Sequence, residues 1–163
     1  MIKKKICLIG SYAVGKTSLV RRFVHSIFSD KYHSTIGVKV DQKTIIVDGE
    51  EITLLIWDIH GEDEYQKIQP SYLKGSSGFF LVIDGTRAMT KDVAFKLYDL
   101  VIEKTGEMPC EVLINKYDLK DSWAMYKKDI NEISKIIKPP FFTSAKTGEN
   151  VEEAFNSLAR AML

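Results

Sequence analysis

One stretch combines residue types and spacing suited to holding phosphate: Gly10-Ser11-Tyr12-Ala13-Val14-Gly15-Lys16-Thr17-Ser18. It fits the pattern G-x-x-x-x-G-K-[ST], in which glycines let the backbone wrap around phosphate oxygens. The apolar run Ile6-Cys7-Leu8-Ile9 precedes it and a helical pattern follows. A buried strand therefore delivers the chain to a tight turn, and the next helix aims its free N–H groups and partial positive charge at the anion. Ala13, Val14, Gly15, Lys16, Thr17 and Ser18 are the expected phosphate-binding residues. The Lys16 ammonium suits the β- and γ-phosphates, and the Thr17 hydroxyl suits Mg²⁺.

Three further clusters add chemistry. Asn115-Lys116-Tyr117-Asp118 follows the apolar run Val112–Ile114. A carboxylate accepts hydrogen bonds only, so Asp118 suits a base edge with two adjacent N–H donors, as guanine has; adenine presents an acceptor at that ring nitrogen. In Thr143-Ser144-Ala145-Lys146, backbone N–H groups suit the guanine O6, and the stems of Lys116 and Lys146 suit the ring faces. Trp57-Asp58-Ile59-His60-Gly61 offers an acid to hold Mg²⁺ through water and a glycine whose N–H can approach a γ-phosphate.

The elements that must position these residues alternate between strand and helix. Ile6–Ile9 reads as a strand, and Leu19, Val20, Phe23 and Val24 as a helix face. Val38–Val47 and Ile52–Trp57 read as a hairpin turned at Asp48-Gly49. Phe79–Ile83 and Val112–Ile114 read as parallel core strands, with a helix through Val93, Leu97, Leu100 and Val101 between them. The last helix carries Val151, Ala154, Phe155, Leu158, Ala159 and Met162 on one stripe, with Asn150 and Glu153 spaced as a capping box. The pattern predicts an α/β fold: a mainly parallel six-stranded sheet, one antiparallel edge strand, and helices on both faces. In such sheets ligands bind outside the carboxyl ends of the strands, where each of these motifs falls.

The 163 residues are expected to form a single domain spanning 1–163, with 23 basic and 22 acidic side chains for a net charge of +1. That balance argues against a nucleic-acid partner, and Lys3-Lys4-Lys5 reads as a solvated N-terminus. Cys7 and Cys110 have no metal-ligand spacing and read as buried thiols in a reducing, cytoplasmic setting. The N-terminal apolar run is too short for a signal peptide or membrane span, and Ala161-Met162-Leu163 offers no cysteine to lipidate. The expectation is a cytoplasmic monomer without a transmembrane segment, which would join a membrane only through a tail or lipid anchor outside this chain.

With these motifs in order, together with Ser34-Thr35-Ile36-Gly37-Val38, the chain resembles the Ras superfamily of small GTPases, and within it the Rab branch. The resemblance spans nearly the whole length. It implies the P-loop NTPase (small GTPase) fold, GTP and GDP as ligands, Mg²⁺ as cofactor, and slow hydrolysis of GTP without a partner. Thr17, Thr35 and Asp58 would be the metal residues, and Lys16, Gly61 and Glu62 the catalytic ones. Phe28 would pack against guanine, Tyr32 would lie over the phosphates, and Asn115, Lys116, Asp118, Ser144, Ala145 and Lys146 would complete the base site. Segments around Thr35 and from Gly61 to Tyr72 would be switches, ordered by the triphosphate and read by effectors, exchange factors and GTPase-activating proteins.

The departures are as informative. Glu62 stands where the family usually places the glutamine that orients the attacking water. A carboxylate keeps the acceptor and loses the amide donor, so altered and slower hydrolysis is expected. The alternatives are a GTP-binding regulatory module with negligible hydrolysis and, against Asp118, an ATP-using enzyme. Tyr12 replaces a small residue and would crowd an arginine offered by an activator. His60 also replaces a small residue, and an outward, solvated ring is expected for it. Val40 stands where the Rab surface usually carries an aromatic, beside the matching Trp57 and Tyr72.

Overall fold

The computed structural model describes residues 1–31, 35–61 and 67–163. Among them, the chain runs β1 (Ile2–Gly10), α1 (Lys16–His25), β2 (Val38–Val47), β3 (Glu50–Ile59), β4 (Gly78–Asp84), α2 (Met89–Thr105), β5 (Cys110–Asn115), α3 (Lys127–Ile136), β6 (Phe141–Phe142) and α4 (Val151–Ala161). The strands form one six-stranded sheet in the order β2-β3-β1-β4-β5-β6. Only β2 is antiparallel, paired to β3 from Val38↔Ile59 to Val47↔Glu50. Both turn residues, Asp48 and Gly49, have positive φ, the conformation that matches the twist of a tight hairpin.

Strand alternation divides the apolar residues into two cores. Ile6, Leu8, Phe80, Val82 and Leu113 face α1 and α4, where they meet Leu19, Phe23, Val151 and Leu158. Cys7, Ile9, Phe79, Leu81, Val112 and Ile114 face α2 and α3, where they meet Ala94, Leu97, Val101 and Ile133. The sheet is thus covered on both sides, as its uninterrupted apolar core strands require. Phe155 is fully buried and stacks on Phe23 with ring centroids 3.8 Å apart, fastening α4 to α1.

Some local expectations are corrected. β1 begins at Ile2, so Lys3-Lys4-Lys5 belongs to the sheet. Lys5 lies 3.6 Å above the Trp57 ring and donates to the carbonyls of Tyr72 and Lys74, both at 2.7 Å. Asn150 does not cap α4 with its side chain: its φ is 59°, and its amide donates instead to the Phe142 carbonyl at 2.9 Å. Cys7 is buried, but Cys110 is only half-buried; burial still pushes its thiol up to about 12.

Candidate functional site

Strand order reverses around β1, whose neighbours β3 and β4 continue in opposite directions along the sheet. This opens a crevice beyond the carboxyl end of β1, the place where such sheets take ligands. A cavity of about 330 Å³ lies there, lined by Ala13, Gly15, Lys16, Thr17, Ser18, Phe28, Thr35, Gly61, Asn115, Lys116, Asp118, Ala145 and Lys146 among others. Residues separated by more than a hundred positions in the chain thus share one wall.

Long-range bonds shape the phosphate loop. Its consecutive carbonyls at Tyr12, Ala13 and Val14 are held by Arg87, by Lys116 at 3.1 Å and by Asn115 at 3.0 Å. A peptide plane points its N–H opposite to its C=O, so anchoring these oxygens on one side directs the following N–H groups to the other. Asp84, at the end of β4 and fully buried, accepts from both cations: Lys116 at 2.8 Å and Arg87 at 3.0 Å. Burial pushes the Asp84 carboxyl up, but the bonds from Lys116 and Thr86 outweigh it and hold the group below its ordinary range. Gly15 has a φ of 101°, and a Cβ there would sit 2.3 Å from the Asn115 amide nitrogen, so a side chain would strain the backbone and push Asn115 off its bond to Val14.

Lys16 opens α1 with its ammonium buried, donating to the Ser11 carbonyl at 3.1 Å and more weakly to that of Gly10 at 3.4 Å. Burial pushes it down to about 8, with Asp58 opposing and Arg87 reinforcing the shift. It is a cation that gains from an anion placed before it.

Beside it, Thr17 donates to Asp58 Oδ2 at 2.6 Å and lies 2.8 Å from the Thr35 hydroxyl. The other oxygen, Asp58 Oδ1, is buried without a hydrogen-bond partner among the described residues. Burial raises the Asp58 carboxyl above its usual range, against the bond from Thr17 and the charge of Lys16. Hydroxyl and carboxylate oxygens with one orphaned lone-pair donor fit a small hard cation such as Mg²⁺.

At the far end, Asp118 accepts from the Ser144 hydroxyl at 2.8 Å, which fixes one carboxylate oxygen. The Asn115 side chain accepts from Thr143 at 3.1 Å, and the Tyr117 N–H donates to the Thr143 carbonyl at 2.9 Å, binding the two base-site segments together. Val14 and Ser144 are buried behind the cavity and act through the backbone and hydroxyl just described. Tyr32 and Glu62 lie outside the described residues.

The expectation of an outward His60 is overturned. The residue is 6% exposed and its ring meets Tyr72 edge-on at 6.4 Å, while its backbone N–H donates to the Gly37 carbonyl at 2.8 Å. β3 runs two residues past Trp57, to Ile59, and thereby carries His60 inward. Tyr12 is half-exposed at the cavity rim, as its place in the loop suggests. Gly61 packs against its backbone: a Cβ on Gly61 would stand 2.5 Å from Tyr12 Cα. Sequence reasoning missed Asp84, Arg87 and Arg22, whose bonds to the site cross from distant elements. The polar end of β4, Asp84-Gly85-Thr86-Arg87, at the same sheet edge as the motifs, was the available signal.

A phosphate loop at the strand-order reversal of a mainly parallel sheet defines a P-loop nucleotide-binding protein. The model of the Ras family matches residues 5–163, and the chain belongs to that family. It is 35% identical over 161 residues to the Ras-related protein Rab-1 of Theileria annulata, covering 97% of this chain and 73% of that protein. It is 36% identical over 158 residues to the GTP-binding protein YPT1 of Saccharomyces cerevisiae, covering 96% and 77%, and 34% identical over 161 residues to Ras-related protein Rab-13 of Mesocricetus auratus, covering 98% and 79%. Within the family it is therefore Rab-like.

Proposed function

We infer that the chain is a molecular switch that binds GTP and GDP and hydrolyses GTP to GDP and phosphate. The observation that carries the reading is one cavity lined by Lys16, Thr17, Thr35 and Asp118, with the buried Asp58 bonded to Thr17 behind it. Phosphate, metal and base are each met there by a matching group. Lys16 and the N–H groups of residues 13–18 hold the phosphates. The Asp118 carboxylate selects guanine by accepting from the base's two adjacent N–H donors, with Ala145 and Lys146 at the O6 edge and Phe28 against the ring.

Thr17 and Thr35 would hold Mg²⁺ directly and Asp58 through water. When bound, the ion supplies charge neutralisation on the β- and γ-phosphates. Gly61 brings its N–H to the γ-phosphate, and Glu62 orients the attacking water. Lacking the amide donor of a glutamine, Glu62 makes intrinsic turnover slow. No arginine lies between Phe28 and Ser34, so that loop offers no arginine to the charge that develops on the transferring phosphoryl group.

The segments around Thr35 and from Gly61 to Tyr72 serve as the partner-reading surface, with Val40 altering its apolar part and Tyr12 opposing activators that insert an arginine. Among the described residues no helix is long and apolar enough to cross a membrane. Competition binding tests the reading: GTP and GDP should displace a fluorescent GDP analogue in the presence of Mg²⁺, and ATP should not. Equal displacement by ATP would contradict it.

A further inference from the structure

We propose that Arg22, in the last turn of α1, is a positioning residue for recognition of the purine 6-oxo group. The proposal rests on the reading that Ala145 and Lys146 meet that edge of the base. The Arg22 Nε donates to the Ala145 carbonyl at 2.8 Å, and its Nη2 donates to the Lys146 carbonyl. These bonds join the helix that opens at the phosphate loop to the loop between β6 and α4, more than a hundred residues away.

Peptide planarity gives the bonds their consequence. The carbonyl of residue 145 and the N–H of residue 146 lie in one rigid plane and point in opposite directions. Pinning the Ala145 oxygen against Arg22 therefore aims the Lys146 N–H away from α1, and both residues line the cavity. The preceding plane is fixed within the loop, where Gly148 N–H donates to the Ser144 carbonyl at 2.8 Å, which aims the Ala145 N–H. The following plane is fixed by Arg22 on its oxygen and by the Thr147 N–H bond to Ser144 Oγ at 3.1 Å. Among the described residues, neither the Ala145 nor the Lys146 N–H is drawn into a hydrogen bond inside the protein.

The loop thus orients one donor by itself and leaves the other to Arg22. A cation on the carbonyl also polarises the peptide and strengthens its N–H as a donor. The Arg22 stem runs beside Gly148, with Cδ at 3.6 Å from a Cβ placed there, so the fork is held against the loop by packing as well.

The test compares release rates of GDP, 6-thio-GDP and IDP in the presence of Mg²⁺. Sulfur is a weak acceptor, so 6-thio-GDP weakens only the 6-position contact; IDP keeps that contact and lacks the 2-amino group facing Asp118. Arg22→Met is expected to release GDP and IDP about tenfold faster and 6-thio-GDP only about twofold faster. The GDP/6-thio-GDP ratio then shrinks while the GDP/IDP ratio stays constant. Arg22→Lys, with one donor group, should give an intermediate ratio and serves alone if the Met variant does not fold. Equal acceleration of all three nucleotides, unchanged GDP release, or a wild-type ratio in Arg22→Lys would overturn the proposal. Asp118→Asn separates it from the reading beneath: if that variant keeps the full preference for GDP over xanthosine diphosphate, the base-site assignment itself fails.

Discussion

Lys116 spans 2.8 Å to Asp84 and, from the same nitrogen, 3.1 Å to the carbonyl of Ala13. One buried carboxylate at the end of β4 thereby fixes a residue of the base site upon the backbone of the phosphate loop. The two halves of the cavity are mechanically one unit.

Removing that carboxylate's charge should loosen both halves. Asp84→Asn is expected to lower stability by about 1–3 kcal/mol in urea denaturation at neutral pH. The sign with pH follows from a folded-state carboxyl held below its ordinary value of 3.8. Its contribution is fully present above that unfolded value and is lost as pH falls through the lower folded value. The stability gap between wild type and Asp84→Asn should therefore narrow only below about pH 4. A gap that closes instead between neutral pH and pH 5 would assign the effect to another group.

Gly61 admits no side chain without moving the phosphate loop, since a Cβ would lie 2.5 Å from Tyr12 Cα. Gly61→Ala should weaken GDP binding, because the phosphate loop must shift, and hydrolyse the GTP that is loaded about a hundredfold more slowly. Single-turnover kinetics with matched nucleotide loading would check this, and an unchanged rate would remove Gly61 from the γ-phosphate contact.

The Phe155 ring is fully buried between Phe23, at 3.8 Å, and Phe80, at 4.7 Å. Phe155→Ala should cost about 3–5 kcal/mol through lost burial and the cavity left behind. Chemical denaturation measures it directly; a loss under 1 kcal/mol, on the same scale, would mean that α4 repacks.

The contiguous parts of this molecule were legible in its sequence. The phosphate loop, the Asn115–Asp118 segment and the Ser144–Lys146 segment are short runs whose spacing encodes their own geometry. The Asp48-Gly49 hairpin and the apolar alternation of β1, β4 and β5 declared the sheet and its two covered faces. The supports were not legible. Arg87 reaches Tyr12 and Arg22 reaches Ala145 only because the fold brings separate elements together, and local pattern carries no trace of that. Asn150 has a capping residue's identity but a left-handed backbone. The helix α3 was legible but passed over: Ile130, Ile133 and Ile137 recur at helical spacing, and Asp129 accepts from the Tyr126 N–H at 2.9 Å. The inward turn of His60 depended on where β3 ends, which periodicity locates only to within a few residues.

His60 offers a test of that correction. Its ring packs on Tyr72, so His60→Ala should lower stability by roughly 1 kcal/mol through lost contact. The pH–rate profile of GTP hydrolysis should keep its shape. A profile that changes near neutral pH, with stability untouched, would place the imidazole at the phosphates instead.

The most direct test of the whole account is single-turnover hydrolysis of GTP preloaded on the protein with Mg²⁺, followed by chromatography over hours. Slow, complete conversion to GDP is expected, faster in Glu62→Gln. GTP recovered intact from folded, loaded protein would contradict it and leave a nucleotide-binding module without intrinsic turnover.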